Sequence, residues 1–308
     1  LDEALYDIAG KFYGVPVYRL LGGKCRDKVR VYNHTAGRTE EELIENAIKG
    51  KEEGFTALGH LNPYLDEPRN QPFHDNNTQM LYNAERRIAR VREAVGEDTD
   101  LCLELHRRLE PGLAVQLSAR LEPYAPMFLE DPIRPDNFDE MARVAQQCQI
   151  PIATGERINS LFEFEMLLER GACSYVRASI GVCGGFTGIK KIAALAEAHH
   201  KSLVPHNPLS PVTTNALLQF CAATDNIAIC EYPDPYAAST ADHLTGSGSK
   251  LRQVDMVTQI PKFEKGYVEI PEGPGLGIDL ISDVEERFPF RPHAVGTRLN
   301  LDGSICDQ

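Results

Sequence analysis

Leu101-Cys-Leu-Glu104, Met127-Phe-Leu-Glu130 and Ile152-Ala-Thr-Gly-Glu156 are three short apolar runs that each stop at a glutamate, and 26 residues separate one glutamate from the next. A run of three or four residues without regular polar alternation belongs to a strand covered on both faces, which is the habit of parallel sheets. Parallel neighbours need a crossover of a dozen or more residues, and this spacing holds one strand, one helix and two turns. The repeat predicts three consecutive strand–helix units whose acids share one end of the sheet.

The unit continues in both directions. Candidate strands are Val29–His34, Thr56–Leu61, Leu101–His106, Met127–Glu130, Ile152–Gly155, Tyr175–Ala178, Ser202–Pro205 and Ala228–Cys230. Amphipathic or apolar-striped segments at 40–53, 82–95, 112–122, 138–148, 161–170, 185–199 and 211–223 read as the helices between them. Eight such strands in 308 residues predict an α/β fold closed as a TIM-type barrel. An open doubly wound sheet is the alternative, and it usually carries a glycine-rich phosphate turn after its first strand. Here His34-Thr-Ala-Gly-Arg38 stands in that place. Two stretches break the period: a Pro- and Asn-rich loop at 62–78, long enough to be a functional flap, and a Pro- and Gly-rich segment from Gln259 onward.

Composition narrows the partners. The chain is 42% hydrophobic and carries a formal charge of −13, a field that repels polyanions and argues against nucleic acid. No run approaches the roughly 20 apolar residues of a membrane helix, and no basic-then-apolar leader opens the sequence, so the expectation is a cytoplasmic protein without a membrane partner. The eight cysteines are irregularly spaced with no CxxC pair and read as reduced thiols.

Three carboxylates at the carboxyl ends of adjacent parallel strands converge where barrel enzymes place their chemistry. Like charges that close require a cation between them, and an all-oxygen set suits Mg²⁺ or Mn²⁺. Any one of Glu104, Glu130 and Glu156 read alone is as well explained by ion pairing with Arg107, Arg134 or Arg157; three in step are not. His106, two residues past Glu104, shares its side of a strand continued that far. His206 follows the seventh strand and Glu231 the eighth, while His34, His60 and His74 read as ordinary residues near the mouth. A divalent ion beside two histidines can bind a carboxylate, ease loss of the neighbouring proton and assist departure of a β-hydroxyl. Arg157 and Arg177 are candidates for holding an anionic substrate.

Taken together, Leu1-Asp-Glu-Ala-Leu, Gly14-Val-Pro-Val-Tyr-Arg-Leu-Leu-Gly-Gly23, Glu104-Leu-His106, Phe128-Leu-Glu-Asp-Pro132, Thr154-Gly-Glu-Arg157, Cys183-Gly-Gly185 and Pro205-His206-Asn-Pro resemble the enolase superfamily, in its mandelate racemase/muconate lactonizing branch that includes acid-sugar dehydratases. The resemblance implies a modified (β/α)7β barrel binding one Mg²⁺ through Glu104, Glu130 and Glu156. It implies His206 as acceptor of the α-proton, His106 as the group that helps the 3-hydroxyl leave, Glu231 as a substrate contact, and a homo-oligomeric assembly. By the same resemblance, 1–28 is a connecting helix from an N-terminal capping domain absent from this chain. The barrel then occupies 29–258, and 259–308 packs toward that cap.

The departures are specific. The first ligand is usually Asp, and Glu104 is one methylene longer; the aspartate that usually partners the strand-seven histidine aligns with Ser179. The lysine that other branches carry on strand two is replaced near Gly59-His60. Mannonate dehydratase-like members use a tyrosine–arginine pair from the following loop, where this chain offers Tyr64, Arg69 and Tyr82. The expected activity is Mg²⁺-dependent dehydration of a sugar acid to a 2-keto-3-deoxy acid. C2 epimerisation on the same groups and a weakly active ligand-binding relative remain open alternatives at the level of sequence.

Overall fold

The structure is a computed structural model that describes residues 1–65, 76–208, 210–233, 253–289, 298–300 and 302–307. Arg69, His74 and parts of the 62–78 and 259–308 segments lie outside the described residues. After α1 (Asp2–Tyr13) and α2 (Val17–Leu20), the chain alternates as expected: β1 (Lys28–His34), α3 (Glu40–Glu52), β2 (Ala57–Leu61), α4 (Asn77–Val95), β3 (Asp100–Glu104), α5 (Pro111–Leu121), β4 (Phe128–Glu130) and α6 (Phe138–Gln147). It continues with β5 (Ile152–Thr154), α7 (Leu161–Glu169), β6 (Tyr175–Val176), α8 (Gly185–Ala198), β7 (Ser202–Leu203), α9 (Pro211–Ala222) and β8 (Cys230–Glu231). No helix among the described residues is long and apolar enough to cross a membrane.

β1 through β7 pair side by side in parallel and in sequence order. β8 pairs in parallel with β1. The residues just before β8 also meet β7: Leu203 bridges Ile227 in parallel, and the Ala228 N–H donates to the Leu203 carbonyl at 2.9 Å. A hairpin of β9 (Phe263–Glu264) and β10 (Tyr267–Glu269) runs antiparallel along Lys28 to Arg30, at the foot of β1 and away from the carboxyl ends. Nearby, the Val17 N–H donates to the Gly275 carbonyl and the Leu276 N–H to Asp7, which ties this segment to the first two helices.

Strand alternation sorts side chains into two cores. Val29, Val31, Leu58, Leu101, Leu103, Leu129, Ile152, Val176, Leu203 and Cys230 pack with helix residues such as Leu43, Ile88, Leu117, Phe164, Ile189 and Leu217. On the other face, Tyr32, Ala57, Cys102, Phe128, Ala153, Val204 and Ile229 form a cluster of their own, with Tyr175 partly buried against it. One step of the two-residue period further along each strand lie His34, Gly59, Glu104, Glu130, Gly155, Arg177, His206 and Glu231. Every strand thus adds one residue to an apolar layer and one to a layer at the carboxyl ends.

Two differences from the sequence expectation have local causes. α4 begins five residues before Tyr82, because Asn76 caps it: its side chain accepts from the Gln79 N–H while the Gln79 side chain accepts from the Asn76 N–H. β3 ends at Glu104, and His106 stands in a turn with φ 52°, because the Glu104 carboxylate curls back to accept from the His106 N–H at 2.6 Å. The period-two argument that put His106 beside Glu104 therefore fails, since the strand stops before reaching it.

Gly59 is glycine because a Cβ there would fall 2.0 Å from the Tyr32 ring. Gly59→Ala is expected to cost about 2–3 kcal/mol by overpacking. Gly112→Ala, where an added methyl meets nothing, should be neutral or stabilise by up to about 1 kcal/mol. Thermal unfolding of both variants checks this, and equal midpoints would contradict the packing of Tyr32 over Gly59.

Candidate active site and metal centre

The layer at the strand ends brings together acids, histidines and one buried arginine. Glu104, Glu130 and Glu156 are buried, and one oxygen of each lies within 4.8 Å of the others. Glu104 and Glu130 sit opposite each other in the β3–β4 register. Glu156 stands one residue past Gly155, whose φ of 137° carries the chain over the top of β5. Asp131 joins them: its carboxylate accepts from the Thr154 hydroxyl at 2.6 Å and from Arg107 at 3.1 Å.

Cations reach this cluster from two sides. Arg107, with φ 65°, puts Nη1 2.5 Å from Glu156 and Nη2 2.8 Å from Nε2 of His106. One part of the surface ion-pair alternative is thus realised, though with a mostly buried arginine. Arg177 is 1% exposed and its donors are committed within the protein: Nε meets Glu130 at 2.6 Å, Nη2 meets Glu231 at 2.9 Å, and Nη1 meets the Tyr32 hydroxyl at 2.8 Å. That geometry makes Arg177 an internal counter-ion, in place of the substrate contact expected from sequence. Arg157 is half exposed at the rim, with Nε 3.4 Å from Glu156.

The acids respond unequally. Burial and the facing Glu130 and Glu156 push the Glu104 carboxyl well up. Burial likewise pushes Glu130 up to about 8 against the pull of Arg177, and Asp131 up to about 6. Burial acts on Glu156 and Glu231 as well, but it is outweighed. His206 and Arg107 hold Glu156 below the usual carboxylate value, and Arg177 with His34 holds Glu231 well below it. Glu104, Glu130 and Asp131 therefore resist ionising unless more positive charge arrives, and three carboxylate oxygens in reach of one another fit a hard divalent ion.

His206 lies at the mouth with Nε2 3.1 Å from Glu156, while its Nδ1 is buried without a partner. The position where an aspartate would stand is Ser179, which bridges His206 through the backbone only. Burial and then Arg107 push His106 down to about 3, so in this arrangement its ring is a neutral acceptor. Of the tyrosines considered, Tyr64 is buried with its hydroxyl unpartnered, and Tyr82 is exposed under Arg120.

Sequence reasoning passed over Asp131 and read His34 and His60 as ordinary residues near the mouth. His34 Nε2 lies 2.7 Å from Glu231, and its ring stacks on His60 at 4.7 Å between centroids. The available signal was the two-residue step from Tyr32 to His34, the same step that leads from Phe128 to Glu130.

Residues 69–284 match the family described as Enolase C-terminal domain-like. A D-galactonate dehydratase from Ralstonia pickettii (strain 12J) is 35% identical over 282 residues, spanning 91% of this chain and 70% of its own length. A D-mannonate dehydratase from Caulobacter vibrioides is 32% identical over 325 residues, spanning 99% of this chain and 77% of its own. A solved structure titled as a putative galactarate dehydratase from Agrobacterium radiobacter, with bound Na and L-malate, superposes with a TM-score of 0.85 at 29% identity over 99% of this chain and 77% of that one.

Two predictions rest on this geometry. A carboxyl raised from 4.5 to about 8 contributes stability present below the ordinary value and lost as pH rises through about 8. Mg²⁺ or Mn²⁺ should raise the unfolding temperature more at pH 8.5 than at pH 6 and release protons on binding, measurable by calorimetry in buffers of different ionisation heat; an increment that shrinks with pH would contradict the site. Separately, Arg177→Met leaves Glu130 and Glu231 without their counter-ion and should cost about 3–5 kcal/mol. A loss below about 1 kcal/mol in urea unfolding would show the pair is dispensable.

Proposed function

Because the chain belongs to the enolase C-terminal domain-like family, we propose that it is a sugar-acid dehydratase, a hydro-lyase that converts an aldonate to a 2-keto-3-deoxy acid. The observation that carries the reading is the meeting of Glu104, Glu130 and Glu156 within 4.8 Å at the same strand ends as His206 and Glu231. The names of the dehydratase relatives support the substrate class. In this reading residues 29–258 act as a closed (β/α)7β barrel, supported by the β1–β8 pairing and the Leu203–Ile227 bridge. Residues 1–28 and 259–308 serve as flanking segments.

Glu104, Glu130 and Glu156 would hold Mg²⁺, and the ion would supply positive charge to offset the charge that develops on a substrate carboxylate. His206 Nε2 accepts that proton from C2. His106 delivers a proton to the departing 3-hydroxyl, which requires its ring to part from Arg107 and gain a proton. The enol left behind takes a proton at C3 and becomes the ketone, so the net change is loss of one water. Glu231, fixed by Arg177 and by the Asn207 N–H at 2.7 Å, holds a substrate hydroxyl. Arg157 at the rim attracts the anionic substrate past the overall negative field. Arg177 acts through Glu130 and Glu231 and touches no substrate.

The test is to incubate the protein and Mg²⁺ with a panel of aldonates in D₂O. Keto-acid formation is expected; α-deuterium without keto acid would replace dehydration by epimerisation, and no reaction across the panel would reject both. His206→Asn should lower kcat by about 10²–10⁴, and an unchanged rate would remove His206 as the proton acceptor.

A further inference from the structure

The strand-end layer contains a second cluster with different donor chemistry. β8, β1 and β2 are neighbours, and at or near their ends stand Glu231, His34 and His60, with one possible ligand atom of each within 4.8 Å of the others. The carboxylate is fixed for this purpose. Its Oε2 is taken by Arg177 at 2.9 Å and by the Asn207 N–H at 2.7 Å, which leaves Oε1 toward His34 at 2.7 Å. The two imidazoles lie nearly parallel, 24° apart at 4.7 Å between centroids.

His60 has no other evident role. Its ring makes no hydrogen bond to another described residue, and the β2 register shifts between Leu58 and Leu61, with His60 at φ 46°. A side chain held in the left-handed region at a break in a strand costs free energy that a functional position can justify.

We propose that His34, His60 and Glu231 form a second cation site, selective for a borderline transition ion such as Zn²⁺ over Mg²⁺. Two imidazole nitrogens and one carboxylate oxygen are the donors Zn²⁺ prefers, and three protein ligands leave a position for water or a substrate hydroxyl. The glutamate triad offers oxygen alone and suits the harder ion. The two centres therefore sort their ions by donor type while sharing one mouth. An ion here occupies Glu231 Oε1 and competes with sugar acid, a consequence that rests on the role given to Glu231 above; the site itself does not rest on it.

The test measures binding alone. Chelator-stripped protein is saturated with Mg²⁺ and titrated with Zn²⁺ against a chromophoric chelator. One tight equivalent is expected, with affinity reduced at least about tenfold in His60→Gln and in His34→Asn and unchanged in Cys25→Ser, which removes an exposed thiol. No Zn²⁺ uptake under Mg²⁺ saturation, or uptake lost in Cys25→Ser and kept in His60→Gln, overturns the proposal. Should the histidine variants fail to fold, pulsed EPR of Cu²⁺-loaded wild-type protein decides: couplings from two imidazole nitrogens support the site, and their absence rejects it. Keto-acid formation from aldonates is read separately, so loss of this site leaves the dehydratase reading standing.

Discussion

The buried guanidinium of Arg177 holds the strand ends in their arrangement. It belongs to the layer two residues beyond Tyr175 and bonds Glu130 from β4, Glu231 from β8, the Tyr32 hydroxyl from β1, and the carbonyls of Val204 and Pro205 beyond β7. Taking three charged groups out of water is costly, and removing any one leaves the others uncompensated. Tyr32 can approach only because Gly59 has no side chain, so the small residue on β2 belongs to the same arrangement. Specificity of register is the gain: a one-residue slip of β4, β6 or β8 would turn a charge into the apolar layer.

Arg177 also divides the acids by role. Glu231 lies where Arg177 and His34 converge, and it is held ionised with both oxygens engaged. Glu130 shares the same guanidinium but also faces Glu231, Glu156 and Asp131, and it is left reluctant to ionise. Five carboxylates, Glu104, Glu130, Asp131, Glu156 and Glu231, thus meet two largely buried arginines, Arg107 and Arg177, with the half-exposed Arg157 reaching Glu156 from the rim. The imbalance is concentrated on the side of Glu104, where no arginine bonds directly, and that is where a divalent ion offsets the most repulsion.

How much of this the sequence discloses follows from separation along the chain. Glu104, Glu130 and Glu156 are legible because each ends the same unit, so one spacing states their convergence. The eight-strand alternation is legible for the same reason. Arg177 is not, because its acceptors lie 47 and 54 residues away and nothing local distinguishes an arginine facing inward from one facing a ligand. His106 is misjudged by the period because its own neighbour, Glu104, folds back onto its amide and ends the strand. His34 and His60 read as ordinary because lone histidines are common. Only the register with Tyr32 and Glu231 marks His34, and a break in β2 hides His60 from any period.

Ser179 sharpens what the proposed reaction asks of His206. The backbone of His206 is pinned, its N–H donating to the Ala178 carbonyl at 3.1 Å, yet Nδ1 has no acceptor. With Nε2 3.1 Å from the Glu156 carboxylate, the proton is favoured on Nε2, which leaves the lone pair on the buried Nδ1. A ring that is to accept a proton at Nε2 needs the other tautomer, and then an N–H at Nδ1 is buried without an acceptor, a cost of about 1–3 kcal/mol. An aspartate at 179 would remove that cost. Without it, the charged group that the ring's Nε2 meets is Glu156, which in the same arrangement keeps an oxygen within 4.8 Å of Glu104 and Glu130. In the proposed reaction, the same carboxylate that completes the acidic triad therefore bears on the protonation of the proposed base.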